Sequence, residues 1–286
     1  MAKQSINVAL ANIRIDDASI GASFRENKNP NLSAGRLSTL NRLLNDVIRE
    51  KCDLFVLPEF AVPHDWLPEV AAWSRKNQIG IVCGLEHLVC KDVAYNLLAT
   101  ILPYKDGYGF KHGYVSLRNK NHYAPKEIEK LSESHRNIPE MDTVYDRFDW
   151  RGIQFAPYLC YELADINHRG LFMSEIDFLI ACVFNKDTKY FADIVDSLTR
   201  DVHCYVVQAN SSHYGDSCVL QPTKSVTHDI IRVRGGENST ILTAKISVAK
   251  LREFQILKLS STENKKHDFK PTPPSFDYSK VLERSQ

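Results

Sequence analysis

The chain has 286 residues, a length that suits one large domain or two small ones. Hydrophobic content of 43% and charged content of 25% are those of a globular chain that buries most of its apolar surface without staples. The 36 Lys and Arg nearly balance the 35 Asp and Glu, so the net charge of +1 carries no signal for nucleic acid or an anionic membrane. No apolar stretch approaches the roughly 18 residues of a membrane span. The start, MAKQSINVALANIRIDD, alternates and lacks the long apolar region of a secretory signal. Seven cysteines is an odd number, and none pair as CxxC, which argues against a disulfide framework or a structural zinc site. The expected compartment is reducing and cytoplasmic.

In chain order, Ser5 to Asn12 alternates as a half-buried strand. Arg36 to Lys51 sets leucines, Val47 and Ile48 at helical spacing. Cys52 to Glu59 is the next strand, Trp66 to Lys76 a short helix, and Ile79 to Gly84 another strand. Tyr95 to Leu102 and Gly109 to Leu117 flank the turn Lys105-Asp106-Gly107. Ile128 to Ile138 reads as a loop with a helical turn. Trp150 to Cys160 is a strand that stops abruptly, Leu163 to Ile176 suits a helix, and Asp177 to Phe184 a buried strand. Phe191 to His203 is amphipathic, Tyr205 to Ala209 is a strand, and three short strands follow to Ile246. The alternation predicts an α/β fold with helices covering sheets. After Leu259 the sequence turns polar and Pro-rich. The expected division is therefore a domain over 1–257 and a tail or linker over 258–286.

Three polar residues sit at the ends of apolar segments. Glu59 follows LFVLP, Lys120 follows GYVSLRN, and Cys160 ends WRGIQFAPYLC. A carboxylate buried at the end of a strand costs several kcal/mol, on the order of 2–7, unless it is paired or working. Strand, sharp turn and helix around Cys160 make the geometry of a nucleophile elbow, where a helix N-terminus lowers the thiol pKa. Read alone, Cys160 is a buried inert thiol, Glu59 a salt bridge or cap, and Lys120 a surface lysine. Together they supply a nucleophile, a base that becomes an acid, and a cation for an oxyanion, without histidine or metal.

These residues resemble the carbon–nitrogen hydrolase, or nitrilase, superfamily, with its Glu–Lys–Cys triad in this chain order. Leu57-Pro58-Glu59-Phe60, Lys120-Asn121-His122-Tyr123 and Cys160-Tyr161-Glu162 match its three motifs. Gly84, Tyr95-Asn96, Tyr205 to Asn210 and Gly215-Asp216-Ser217 fall in order as lesser landmarks over residues 5–250. The resemblance implies a four-layer α-β-β-α sandwich of the nitrilase type. It also implies hydrolysis of a non-peptide carbon–nitrogen bond, an amide by preference, through a thioester on Cys160. Lys120 and the backbone N–H of Tyr161 would hold the oxyanion, and no cofactor is implied. A second glutamate of the family falls on Glu127, with Glu129 as substitute. A homo-oligomer built on the helices after the cysteine motif is a further implication. Leu198 to Val202 and Ala164-Asp165-Ile166 depart from the family pattern, which leaves the branch unassigned. KNHYAPKE and the Pro-rich tail are similar to nitrilase-like domains fused to other modules, including bacterial reverse transcriptases, so fusion to or association with another catalytic module is an expectation as well.

Other readings stay open at this level. One is a catalytically idle or regulatory nitrilase-like domain that binds a ligand or partner. Transfer of the acyl group to an amine is another. A papain-like pairing of Cys160 with His203 or His213 lacks its local signature, and no zinc-hydrolase motif is present. The residues do not name a substrate; the loops 61–68, 122–145 and 185–190 are expected to shape its pocket. Glu59 faces opposed influences, a neighbouring carboxylate raising its pKa and Lys120 lowering it. Cys160 is expected to carry a raised thiolate fraction.

Overall fold

A computed structural model describes residues 5–25, 31–140, 142–257 and 268–285. The chain opens with β1 (Ile6–Asn12), then α1 (Asp17–Arg25) and α2 (Ala34–Arg49). Next come β2 (Leu54–Val56), α3 (Leu67–Asn77), β3 (Gly80–Gly84) and the small hairpin β4 (Leu88–Cys90) and β5 (Val93–Tyr95). The long hairpin β6 (Leu97–Lys105) and β7 (Lys111–Asn119) leads to α4 (Pro125–Glu133). The second half runs β8 (Phe148–Trp150), β9 (Ile153–Leu159), α5 (Ile166–Arg169), β10 (Phe178–Cys182), α6 (Thr188–Leu198) and β11 (Tyr205–Ala209). It closes with β12 (Ser217–Leu220), β13 (Asp229–Val233), β14 (Thr240–Ile246), α7 (Val248–Leu257) and α8 (Tyr278–Ser285).

The strands form two six-stranded sheets, ordered β14-β1-β2-β3-β6-β7 and β13-β12-β11-β10-β9-β8. Strand alternation sends one face of each sheet inward. Leu54 and Val56 of β2 thus meet Phe155, Phe178, Ile180 and Val207 of the second sheet in one core. Phe155 and Phe178 stack there with ring centroids 5.1 Å apart. Phe55 and Ile81 point the other way and are covered by Leu40, Leu43, Leu44 and Val47 of α2. Tyr158, Leu179 and Val206 point outward from the second sheet under Phe191, Val195 and Leu198 of α6. Helix, sheet, sheet and helix are therefore the four layers. β1, β2 and β3 are parallel, as are β9, β10 and β11. β6 runs against β3 and β7 against β6, so β7 points the same way as β2. The carboxyl ends of β2 and β7 consequently open on the same side, where open α/β sheets hold their ligands.

Some elements differ from the sequence reading. The helix expected over Leu163 to Ile176 is a short 3-10 turn, Cys160–Ala164, followed by the one-turn α5. Asp165 ends the first and caps the second, accepting from the N–H of Asn167 and His168. Of the loop with a helical turn expected over Ile128 to Ile138, the part up to Glu133 belongs to α4, which begins earlier, at Pro125, and the rest is not helical. α1 and α7 carry no strand-like alternation, and in α7 the spacing of Val248, Leu251 and Phe254 marks a buried helical face. No described helix is long and apolar enough to cross a membrane.

The segment expected as a tail or linker also carries structure, although its residues 258–267 lie outside the described residues. Phe269 bridges Thr223 and packs on Phe254. α8 lies on α7 through a buried ionic cluster. Both oxygens of Asp177, fully buried, accept from Arg252 at 2.6 and 2.8 Å, and Arg284 of α8 donates to it at 2.6 Å. Asp177→Asn would leave two buried guanidinium groups without their carboxylate. The expected loss of stability is about 3–5 kcal/mol, read from urea unfolding. A loss under about 1 kcal/mol, the value of an exposed pair, would contradict the packing of α8 on the domain.

Candidate active site

Glu59 stands three residues beyond β2 and is 1% exposed. The chain turns sharply after it, with Phe60 in the left-handed region at φ 60°. Gly84 makes the turn possible, because a Cβ there would lie 2.5 Å from the Glu59 Cα. Lys120 follows β7 directly and is 2% exposed. Its Nζ donates to Glu59 Oε1 at 2.8 Å and to Glu127 Oε2 at 2.6 Å. Glu127, in the first turn of α4, is the second glutamate that the resemblance implies, and Glu129 lies exposed outside the cluster. Asn96 Nδ2 ties the two carboxylates together, donating to Glu59 at 2.9 Å and to Glu127 at 2.7 Å. His87 Nε2 approaches Glu127 at 3.4 Å.

Cys160 follows β9 directly at φ 40°, a conformation that costs a non-glycine residue about 1–3 kcal/mol and has the strand–turn geometry of a nucleophile elbow. Its Sγ lies 3.9 Å from the Phe184 carbonyl. Glu59, Lys120, Glu127, Cys160 and Tyr161 all line one cavity of about 700 Å³. Its walls include Phe24, Phe60, Phe184 and Tyr214, and Lys126, Lys130 and Lys186 stand around its lining. The loops 122–145 and 185–190 contribute to it as expected. The loop 61–68 does not, and its Ala61 and Trp66 line a separate small cavity. Its place is taken by α1, whose Asp17, Ile20 and Phe24 form a wall that no motif announced.

A second buried ion pair aligns the strands that carry these groups. Arg118 of β7 makes a bidentate contact with Glu162, at 2.6 and 2.8 Å. Glu162 also accepts from the N–H of Leu159 and of Asn121, both at 2.7 Å. One carboxylate thus fastens the residue before Cys160 to the residue after Lys120. Glu162 stood in the third motif without a role. Arg118 was missed, although strand alternation puts it on the same face as Lys120.

The charges divide unequally. Lys120 is surrounded by Glu127, Glu59 and the Cys160 sulfur, and although burial opposes its charge, its pKa lies well above the ordinary lysine value. Glu127 is held down to about 2: burial opposes its charge, but Lys120 and His87 outweigh that. Glu59 moves the other way. Burial raises its pKa, the Glu127 charge adds to the rise, and Lys120 only partly offsets both. Desolvation is the largest influence in the balance that the sequence left open. The direction at Cys160 is opposite to the expected thiolate: burial and then the Glu59 carboxylate raise its pKa well above that of a free thiol, with Lys120 pulling back. The turn behind it is a five-residue 3-10 helix rather than the α-helix whose dipole the expectation invoked.

Of the other cysteines, Cys52, Cys83, Cys182, Cys204 and Cys218 are buried and Cys90 is exposed. Limiting iodoacetamide at about pH 7 should therefore alkylate Cys90 ahead of Cys160 in the folded protein, as read by mass spectrometry of the digest. Preferential labelling of Cys160 at that pH would mean that the thiol is ionised and the desolvation argument wrong.

No protein-family model matches the chain, and no curated protein matches it by sequence. Solved structures do match in three dimensions. The C. elegans NitFhit protein superposes with a TM-score of 0.66 at 15% identity over 90% of this chain. The match spans 64% of the NitFhit chain. Nit3 of Saccharomyces cerevisiae, a member of branch 10 of the nitrilase superfamily, gives 0.62 at 16% identity, covering 91% of this chain and 96% of its own. An amidase from Nesterenkonia sp. gives 0.60 at 12%, covering 88% and 94%. In one structure of that amidase, acrylamide has added to the active-site cysteine. Two stacked sheets between helix layers, with these matches along nearly the whole chain, give the protein the fold of the nitrilase superfamily.

Proposed function

We propose that the protein hydrolyses a carbon–nitrogen bond of a small non-peptide amide through a thioester on Cys160. The observation that carries this reading is a buried ammonium, Lys120, held between two carboxylates of opposite pKa displacement beside a thiol at a strained strand end. Pairs of titratable groups driven apart in this way are the arrangement by which acid and base roles are divided.

In the proposed sequence the thiol proton passes to Glu59 as Sγ attacks the carbonyl carbon. The oxyanion that forms is held by the Lys120 ammonium and the Tyr161 N–H. Collapse breaks the carbon–nitrogen bond, and Glu59 returns the proton to the leaving nitrogen. Water then gives its proton to Glu59 and its oxygen to the thioester. The second collapse frees the acid and returns the proton to sulfur. A protonated resting thiol suits this scheme, because proton transfer and attack occur together and Glu59 is a stronger base than an ordinary glutamate. Glu127 stays ionised throughout and fixes Lys120. Acyl transfer to an amine would share the first half of the sequence. The aromatic wall fits an apolar acyl group, with the lysines nearest to whatever end of the substrate reaches the rim.

A screen of amides, nitriles and carbamoyl compounds for ammonia release tests the reading. With a substrate in hand, Cys160→Ala and Glu59→Gln should each lower kcat by about a thousandfold or more, and the double variant should be little worse. Glu127→Gln should lower kcat with little change in KM. It should also move the acid limb of the kcat/KM profile to lower pH. The sign follows from Glu59: the base form appears as pH rises through its raised pKa. Removing the Glu127 charge and giving Lys120 wholly to Glu59 both lower that pKa. An unmoved limb, or a wild-type rate in Glu127→Gln, would reject the division of roles.

A further inference from the structure

A further cavity, of about 510 Å³, shares Lys120 and Tyr161 with the first as lining residues. His122, two residues after Lys120, and Asp165, five residues after Cys160, line it. Together with His168 they form a cluster outside the proposed chemistry. The His122 Nε2 and His168 Nδ1 atoms are 2.9 Å apart. Asp165 Oδ2 lies 3.3 Å from the His168 nitrogen and 4.0 Å from the His122 nitrogen. The other oxygen of Asp165 is occupied by the N–H groups of Asn167 and His168, which fixes the carboxylate and leaves Oδ2 facing the rings. The backbone of His168 is fixed as well, its carbonyl accepting from the Tyr158 hydroxyl at 2.8 Å.

Two imidazoles and one carboxylate make up a donor set suited to zinc and its neighbours rather than to calcium or magnesium, which take oxygen ligands. A tetrahedral zinc with bonds of about 2.1 Å separates its ligand atoms by roughly 3.4 Å. The three separations here bracket that value. Three protein ligands would leave one position for water or a ligand on the cavity side.

We propose that His122, Asp165 and His168 bind one divalent transition-metal ion of the zinc class. The ion would staple the segment after Lys120 to the segment after Cys160, beside the Arg118–Glu162 pair. The sequence hides this site, because His122 and His168 are 46 positions apart and no short motif joins them. The rival is a hydrogen-bonded His–His–Asp group with no metal.

The test is titration of the chelator-treated full chain with zinc, and separately with cobalt, followed by calorimetry and by thermal unfolding. One ion per chain and a raised Tm are expected. His122→Ala with His168→Ala should weaken binding by at least about tenfold and abolish the Tm rise. His168→Gln alone serves if the double variant fails a far-UV circular-dichroism check. Cys160→Ala should bind as wild type does. Absence of a bound ion would overturn the proposal in favour of the hydrogen-bonded group. Binding that survives the histidine variants, or that is lost in Cys160→Ala, would place the ion elsewhere and overturn it equally.

Discussion

Everything at this site depends on an ammonium that has been taken out of water. Lys120 is 2% exposed, and burying an unpaired cation costs several kcal/mol, so the charge persists only because Glu59 and Glu127 both reach it. One cation cannot neutralise two carboxylates. Glu127, which also has His87 beside it, takes the larger share and stays ionised. Glu59 is left with the unfavourable share of the burial, which raises its pKa and suits it to the proton exchange proposed for it. Removing the ammonium would leave the two carboxylates facing each other with only Asn96 and His87 beside them, a loss on the order of 3–5 kcal/mol. The same pairing thus serves stability and would serve the proposed chemistry.

The fold places these groups by strand direction. Glu59 and Lys120 leave the same side of the first sheet because β6 reverses the chain between β3 and β7. Cys160 leaves the second sheet, so the site spans the gap between the two. That gap is fixed by the inter-sheet core and, locally, by Glu162. Its four hydrogen bonds to Arg118, Leu159 and Asn121 set the height of one strand end against the other. At Phe60 and Cys160 the backbone is strained into positive φ, so that the side chains at these strand ends are directed into the cavity.

Much of this was legible in the residues. Apolar runs ended by a lone polar residue marked Glu59, Lys120 and Cys160, because such runs are strands and the next residue sits at their ends. Glu127 was reached through the resemblance. Arg118 and His87 were harder, since each is meaningful only through a partner far away in sequence. At Cys160 the direction of the pKa shift runs against the local reading for a related reason. A helix dipole and a lysine can be read locally, whereas the desolvation that outweighs them is a property of the whole packed site. The Pro-rich C-terminal segment misled in the same way. Its polar composition hid Arg284, which is buried only because Asp177 waits for it in the core.

The central claim is that Cys160 becomes acylated with Glu59 as its base. The direct measurement is mass spectrometry of the Cys160 peptide after acid quench during turnover of an activated acyl anilide. The account requires an added mass equal to the acyl group on Cys160 in the wild-type protein, and no adduct in Glu59→Gln. Turnover with the acyl group on another residue, or an equal Cys160 adduct in Glu59→Gln, would contradict it.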